Sequence, residues 1–152
     1  PQLIWQPSDV APSRLKSIKI WINEKKRDNV EPPILLDATE TGWSKVNNQY
    51  DLIFVSNLLH LVSREEAEIL ITEISRALAP DGMAILYGPF KRQGELSSQG
   101  DIDFHQSIIE ADPALGYKND ADILYLFAQT GLIHKETENM PANNLSFVFQ
   151  KK

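Results

Sequence analysis

The chain has 152 residues, with 15 Lys and Arg against 21 Asp and Glu and a formal net charge of −6. Its 42% hydrophobic and 24% charged residues fit one folded domain rather than a disordered segment. The acidic balance disfavours general nucleic-acid binding, which needs basic surface to displace counterions from phosphates. The lack of cysteine excludes disulfides, thiolate metal sites and a cysteine nucleophile. No apolar run approaches the roughly 18 residues of a membrane span. The N-terminus lacks the basic-then-apolar layout of a signal peptide, so a cytoplasmic location is expected.

In chain order, Leu3-Ile4-Trp5 reads as a strand ending near Gln6. Ser13 can cap a helix whose Leu15, Ile18, Ile20, Trp21 and Ile22 gather on one face, with Lys25, Lys26 and Arg27 placed to favour its dipole. Ile34-Leu35-Leu36 is a second short strand, and Glu40 to Gln49 is a polar loop anchored by Trp43. Leu52 to Val55 is an unbroken bulky run, as expected of a strand buried on both faces of a parallel sheet. Ser63 with Glu66 forms a capping box for a helix over Arg64 to Ala79, with Ala67, Leu70, Ile71, Ile74, Ala77 and Leu78 spaced at three and four. Pro80-Asp81-Gly82 turns the chain into a strand at Met83 to Tyr87. This strand, helix and strand make a βαβ unit, which crosses over right-handedly into a parallel sheet.

GPFKRQGELSSQGD, with glycines at 88, 94 and 100, reads as a surface loop. A short helix around Phe104, Ile108 and Ile109 ends at Asp112-Pro113. Asp120 to Thr130 is another helix, stopped by Gly131, with Ile123, Leu124, Leu126 and Phe127 inward. Leu132 to Glu138 and Leu145 to Phe149 are strands joined tightly by MPANN. The order β-α-β-β-α-β-α-α-β-β predicts an α/β three-layer sandwich forming a single domain over 1–152.

Ligands of open parallel sheets bind outside the carboxyl ends of the strands. Asp9 and Asp37 follow the first two strands, where an ionised carboxylate accepts hydrogen bonds from ribose hydroxyls or an adenine amino group. Asp9 in a bland role would only turn or cap the chain. Asn57 and His60 follow the central strand; His60 is either a base or a packed ring with its nitrogens bonded to backbone, and its leucine neighbours favour packing. Tyr87-Gly88-Pro89-Phe90-Lys91-Arg92 joins aromatics, a stiff turn and two cations, which either meet an anionic group or are solvated loop charges. Asn143 and Asn144 supply a turn or border a pocket. His60, His105 and His134 show no ligand spacing, so no metal is expected.

WQPSD at Trp5 to Asp9, PILLDA at Pro33 to Ala38, SNLLH at Ser56 to His60, YGPFKRQG at Tyr87 to Gly94 and MPANN at Met140 to Asn144 span nearly the whole chain. Together they resemble a class I S-adenosylmethionine-dependent methyltransferase, and more narrowly the family of domain of unknown function 938, which includes methyltransferase-like protein 26. The resemblance implies a Rossmann-like methyltransferase fold, a mostly parallel sheet with an antiparallel C-terminal strand. It implies S-adenosylmethionine as cofactor, with Asp9 on the ribose, Asp37 and Ala38 by the adenine, and Asn57 near the methionine end. Tyr87, Pro89, Phe90, Lys91, Asn143 and Asn144 would border a small-molecule substrate whose identity does not follow.

One departure bears on cofactor binding. The family fold opens with a strand, a glycine-rich loop and a helix, whereas the seven glycines here are never closer than six positions. The first strand and helix are therefore expected to be missing, leaving an N-terminally incomplete domain and weak cofactor binding. The flanking strands then pair directly, a second copy of the chain buries the edges, or the chain is a fragment of a longer product; a fragment or truncated gene product with edges buried in a homodimer is the expectation. The competing reading is a non-catalytic remnant serving interaction or oligomerisation. A nicotinamide-type Rossmann domain fits less well, because it needs the same missing glycine turn and lacks a two-strand tail.

Overall fold

A computed structural model describes residues 3–25 and 28–152. Pro1, Gln2, Lys26 and Arg27, the last two read above as dipole partners, lie outside the described residues. The chain forms two compact units, Pro1–Ala38 and Thr39–Lys152.

The first unit holds β1 (Ser8–Asp9), α1 (Pro12–Lys25) and β2 (Ile34–Leu35). β1 and β2 pair in parallel, Ser8 opposite Ile34 and Asp9 opposite Leu35. The apolar run expected as a strand contributes only a bridge from Trp5 to Val30. Pro7 has no N–H to give, so the regular ladder starts beyond it and takes in Asp9 itself. Pro12, one residue before the expected cap Ser13, opens the helix, a position that suits its fixed φ. Leu15, Ile18 and Ile22 are half-buried at helical spacing. Ile20 and Trp21 do not join them and are 56% and 61% exposed. The Lys25 ammonium sits 5.4 Å above the Trp21 ring.

The second unit contains β3 (Tyr50–Ser56), α2 (Arg64–Ala77), β4 (Leu78–Pro89), α3 (Gln99–Ala111), α4 (Asp120–Gln129), β5 (Ile133–Asn139) and β6 (Asn144–Gln150). Their sheet runs β3-β4-β6-β5, with β3 and β4 parallel and β6 antiparallel to both β4 and β5. The Ser63–Glu66 capping box forms as read, at 3.2 Å and 2.6 Å. Ala67, Leu70, Ile71, Ile74 and Ala77 of α2, Leu86 of β4, Ile123 and Phe127 of α4, and Phe147 and Phe149 of β6 are all buried and belong to the core. Phe127 stacks on Phe149 with centroids 3.8 Å apart and planes 7° from parallel.

Three local expectations change. β3 is half-buried rather than buried, with Phe54 45% exposed, because it ends the sheet's order and has a strand neighbour on one side only. The helix stops at Ala77, and β4 starts at Leu78 rather than Met83. Pro80-Asp81-Gly82 is a kink within the strand: Asp81 has φ 62°, and the register against β3 shifts between Tyr50 and Leu52. A Cβ on Gly82 would stand 2.8 Å from the Tyr50 carbonyl oxygen, so glycine is required where the two strands close up. Finally, α3 begins at Gln99 inside the expected loop, because the Ser98 hydroxyl caps it by accepting from Asp101 N.

The polar segment before β3 is fastened by a buried carboxylate. Glu73 on α2, 1% exposed, accepts from Ser44 N at 3.0 Å, Ser44 Oγ at 2.6 Å and Arg76 Nη1 at 2.9 Å.

Candidate functional site

The carboxyl ends of β3 and β4 lie side by side, Ser56 opposite Tyr87. Asn57 N donates to the Tyr87 carbonyl at 2.8 Å, and Asn57 takes a left-handed φ of 53°, which Asn tolerates better than most residues. Its side chain is exposed at the rim next to Gly88.

Antiparallel pairing of β6 with β4 sets Asn144 opposite Pro89. Asn144 Nδ2 then donates to the Tyr87 hydroxyl at 3.0 Å. Asn143, in the left-handed region at φ 59°, turns its amide the other way and donates to Asp101 Oδ2 at 2.9 Å. The Ser98 hydroxyl reaches the same oxygen at 2.7 Å. The Tyr117 hydroxyl donates to Asp101 Oδ1 at 3.4 Å. Burial and then the Asp101 carboxylate push the Tyr117 pKa up to about 12, so it stays a phenol and a donor. One polar rim thus connects Asn57, Tyr87, Asn144, Asn143, Asp101 and Tyr117.

Arg92 is held against the β5–β6 turn. Its guanidinium clasps the β5–β6 turn, donating to Asn139 Oδ1 at 2.5 Å and to the Asn143 carbonyl at 3.2 Å, while its Nε is buried without a partner. Lys91 is tied through its backbone to Lys118 and Asp120, at 2.9 Å and 3.0 Å. Pro89 and Phe90 are buried behind the rim, and Phe90 meets Phe147 edge-on at 4.9 Å.

His60 is 6% exposed and lies edge-on to Phe104 at 5.8 Å and Tyr117 at 6.0 Å. The ring is packed, as its neighbours suggested, but the expected backbone bond to Nδ1 is absent: that nitrogen is buried without a partner. Burial first and Lys118 second hold its pKa below the ordinary histidine value, favouring the neutral ring.

In the first unit, Asp9 Oδ1 accepts from Ala11 N at 2.8 Å and Oδ2 lies 3.6 Å from Arg14 Nη1. The carboxylate therefore does serve the local turn, and it keeps further lone pairs. Asp37 is exposed and Ala38 half-buried just past β2. Asp101, Tyr117 and Ser98 were missed in the sequence. The Ser98-x-x-Asp101 spacing is a helix-start signal that would have brought Asp101 into view.

A family model described as protein of unknown function, DUF938, matches residues 1–151. The chain belongs to the DUF938 family. Among solved structures, this DUF938 chain is similar to an O-methyltransferase family protein from Burkholderia thailandensis, with a TM-score of 0.84 and 15% identity over 100% of this chain and 45% of that one. It is also similar to a candidate O-methyltransferase from Nostoc punctiforme, with a TM-score of 0.81 and 22% identity over 96% of this chain and 44% of the other. A third likeness is to PigF with SAH, at a TM-score of 0.79 and 13% identity, covering 97% and 48%. The DUF938 chain spans less than half the length of these three structures. Its fold is the α/β, Rossmann-like fold of these methyltransferases. Among the described residues no helix is long and apolar enough to cross a membrane.

Proposed function

We propose that this chain is an S-adenosylmethionine-dependent methyltransferase-like protein acting on a small molecule, and that these 152 residues bind the cofactor weakly on their own, since they hold no glycine-rich loop. The observation that carries the reading is the polar rim at the adjoining carboxyl ends of two parallel strands, where Asn57, Tyr87, Asn144 and Asn143 are held in order. The donor set fits the cofactor's chemistry. Asp9 is assigned to the ribose hydroxyls, Asp37 and Ala38 to the adenine, and Asn57 to the methionine end. Tyr87, Lys91, Asn143 and Asn144 are assigned to the substrate, with Pro89 and Phe90 backing them.

The bound sulfonium would supply an electrophilic methyl group. The chain's own task is then to align a nucleophile, which requires little acid–base chemistry. A rim of amides and hydroxyls braced by a buried carboxylate suits that task, and a neutral His60 beside it adds no competing charge.

Calorimetry with S-adenosylmethionine and S-adenosylhomocysteine tests the reading. Binding weaker than about 100 µM is expected, an affinity short of about 5.5 kcal/mol. Asp9→Ala and Asn57→Gly, the second keeping the left-handed backbone while removing the amide, should each weaken it further by about fivefold. Micromolar affinity would refute the weakening. Binding unaffected by either substitution would remove the residue assignments. No heat at millimolar ligand would favour a chain that serves interaction alone.

The proposed location is the cytoplasm, in keeping with a chain without cysteine. The proposed assembly is a homodimer that covers apolar surface such as Ile20, Trp21 and Leu35, all more than half exposed. Native mass spectrometry should give twice the mass of one chain; a monomer at micromolar concentration would end that part of the proposal.

A further inference from the structure

α3 lies against the rim yet is held to it by few groups. Of its thirteen residues only Asp101 and Ile108 are buried, while Ile102 and Phe104 are 45% and 47% exposed. The segments on either side of it each turn at a left-handed glycine, Gly94 at φ 89° and Gly116 at φ 108°.

Two polar side chains fasten the helix through three hydrogen bonds. At its first turn Asp101 takes the Asn143 amide and the Tyr117 hydroxyl. One turn later His105 Nδ1 accepts the Tyr117 backbone N–H at 3.1 Å. Gly116 lets the chain come close enough for this second contact: a Cβ there would lie 2.7 Å from His105 Cε1 and 2.9 Å from Ile109 Cγ2.

A ring nitrogen accepts a hydrogen bond only when it carries no proton. Protonated, His105 would point an N–H at the Tyr117 N–H, turning an attraction into a repulsion. Its surroundings oppose that charge. The Lys91 ammonium after β4 and the Lys118 ammonium after α3 both act on the ring, and the Tyr117 ring stands 5.6 Å away. Asp101, one turn back on the same helix, is the nearby carboxylate of opposite sign, and its oxygens are engaged with Ser98, Asn143 and Tyr117.

We propose that α3 is a hinged cover over the rim, latched by Asp101 to Asn143 and by His105 to the Tyr117 backbone, and that protonation of His105 releases it. The sign of the pH dependence follows from the ring's environment. Burial first, then Lys91 and Lys118, lower the pKa of His105 in the latched form. The released helix would recover an ordinary histidine, near about 6.5. The latched form is therefore fully favoured above that value and loses ground as pH falls below it, by up to about tenfold per pH unit until the latched ring itself protonates.

Hydrogen exchange of the full chain, corrected for the intrinsic pH effect, tests this without any cofactor or substrate, so its outcome is separate from the methyl-transfer reading. Between about pH 7.5 and about pH 5.5, protection over residues 99–111 should fall at least about fivefold while that of α2, residues 64–77, holds. No selective loss, or loss from both helices together, overturns the proposal. His105→Asn puts an amide oxygen where Nδ1 stands, an acceptor that does not titrate, and should remain latched at both pH values; equal opening in this variant removes His105 as the trigger. If that variant does not fold, wild-type NMR decides: the Tyr117 amide should lose protection with the midpoint of the His105 ring titration, and a different midpoint refutes the coupling.

Discussion

Replacing Glu73 with alanine is expected to cost about 3 to 5 kcal/mol of folding stability, measured by urea unfolding near pH 7. The carboxylate is 1% exposed, and losing it strands Ser44 N and Ser44 Oγ beside a cavity on α2. Burial alone would raise its pKa. The hydrogen bonds from Ser44 Oγ, Ser44 N, Gly42 N and Arg76 outweigh burial and bring it down to about 2, from an ordinary 4.5. That difference corresponds to about 3 kcal/mol at neutral pH. Because the folded-state pKa is depressed, this stabilisation is complete above about 4.5 and disappears as pH falls from there toward 2. The gap between wild type and Glu73→Gln should therefore narrow steadily across that acid range. A loss below about 1 kcal/mol for the alanine variant would show that the segment before β3 is held by other means.

Phe127→Ala is the second large effect, about 3 to 5 kcal/mol, or a fall of roughly 10 °C in Tm. The ring is 0% exposed and lies flat on Phe149, itself 0% exposed, at 3.8 Å. It is the contact through which α4 reaches β6, so truncation opens a cavity that neither the helix nor the strand can close by itself. Phe127→Leu should recover about half of the loss by refilling volume without the aromatic face. Thermal unfolding of both variants checks the ranking; equal costs for alanine and leucine would mean the stacking geometry, rather than filled space, sets the stability of this corner.

The fold was legible wherever a local signal coincided with burial. The Ser63–Glu66 box, the spacing of Ala67, Leu70, Ile71 and Ile74, and Gly131 after α4 each carried their reason in a few residues. Reading failed where the cause was distant in sequence. The half-exposure of β3 depends on its place in the sheet order, not on Leu52 to Val55 themselves. The kink at Asp81-Gly82 answers to Tyr50, some thirty positions earlier. At the site, Asn57, Tyr87, Asn143 and Asn144 could be named because strand ends and turns advertise them. Asp101 could not, since its carboxylate acquires meaning only when Asn143, forty-two positions away, folds back on it. The hold on Arg92 was hidden for the same reason: its partners Asn139 and Asn143 arrive with the last two strands.

β5 is exposed at every position from Ile133 to Asn139 and forms one outer margin of the four-stranded sheet. Its Lys135, Glu136 and Glu138 would face any strand that tried to add there, and copies stacked parallel and in register would bring like charges together. That margin is guarded against fibre growth. The other margin of this sheet is β3, and a lysine in place of its exposed Phe54 is where an engineer seeking a less sticky protein should begin.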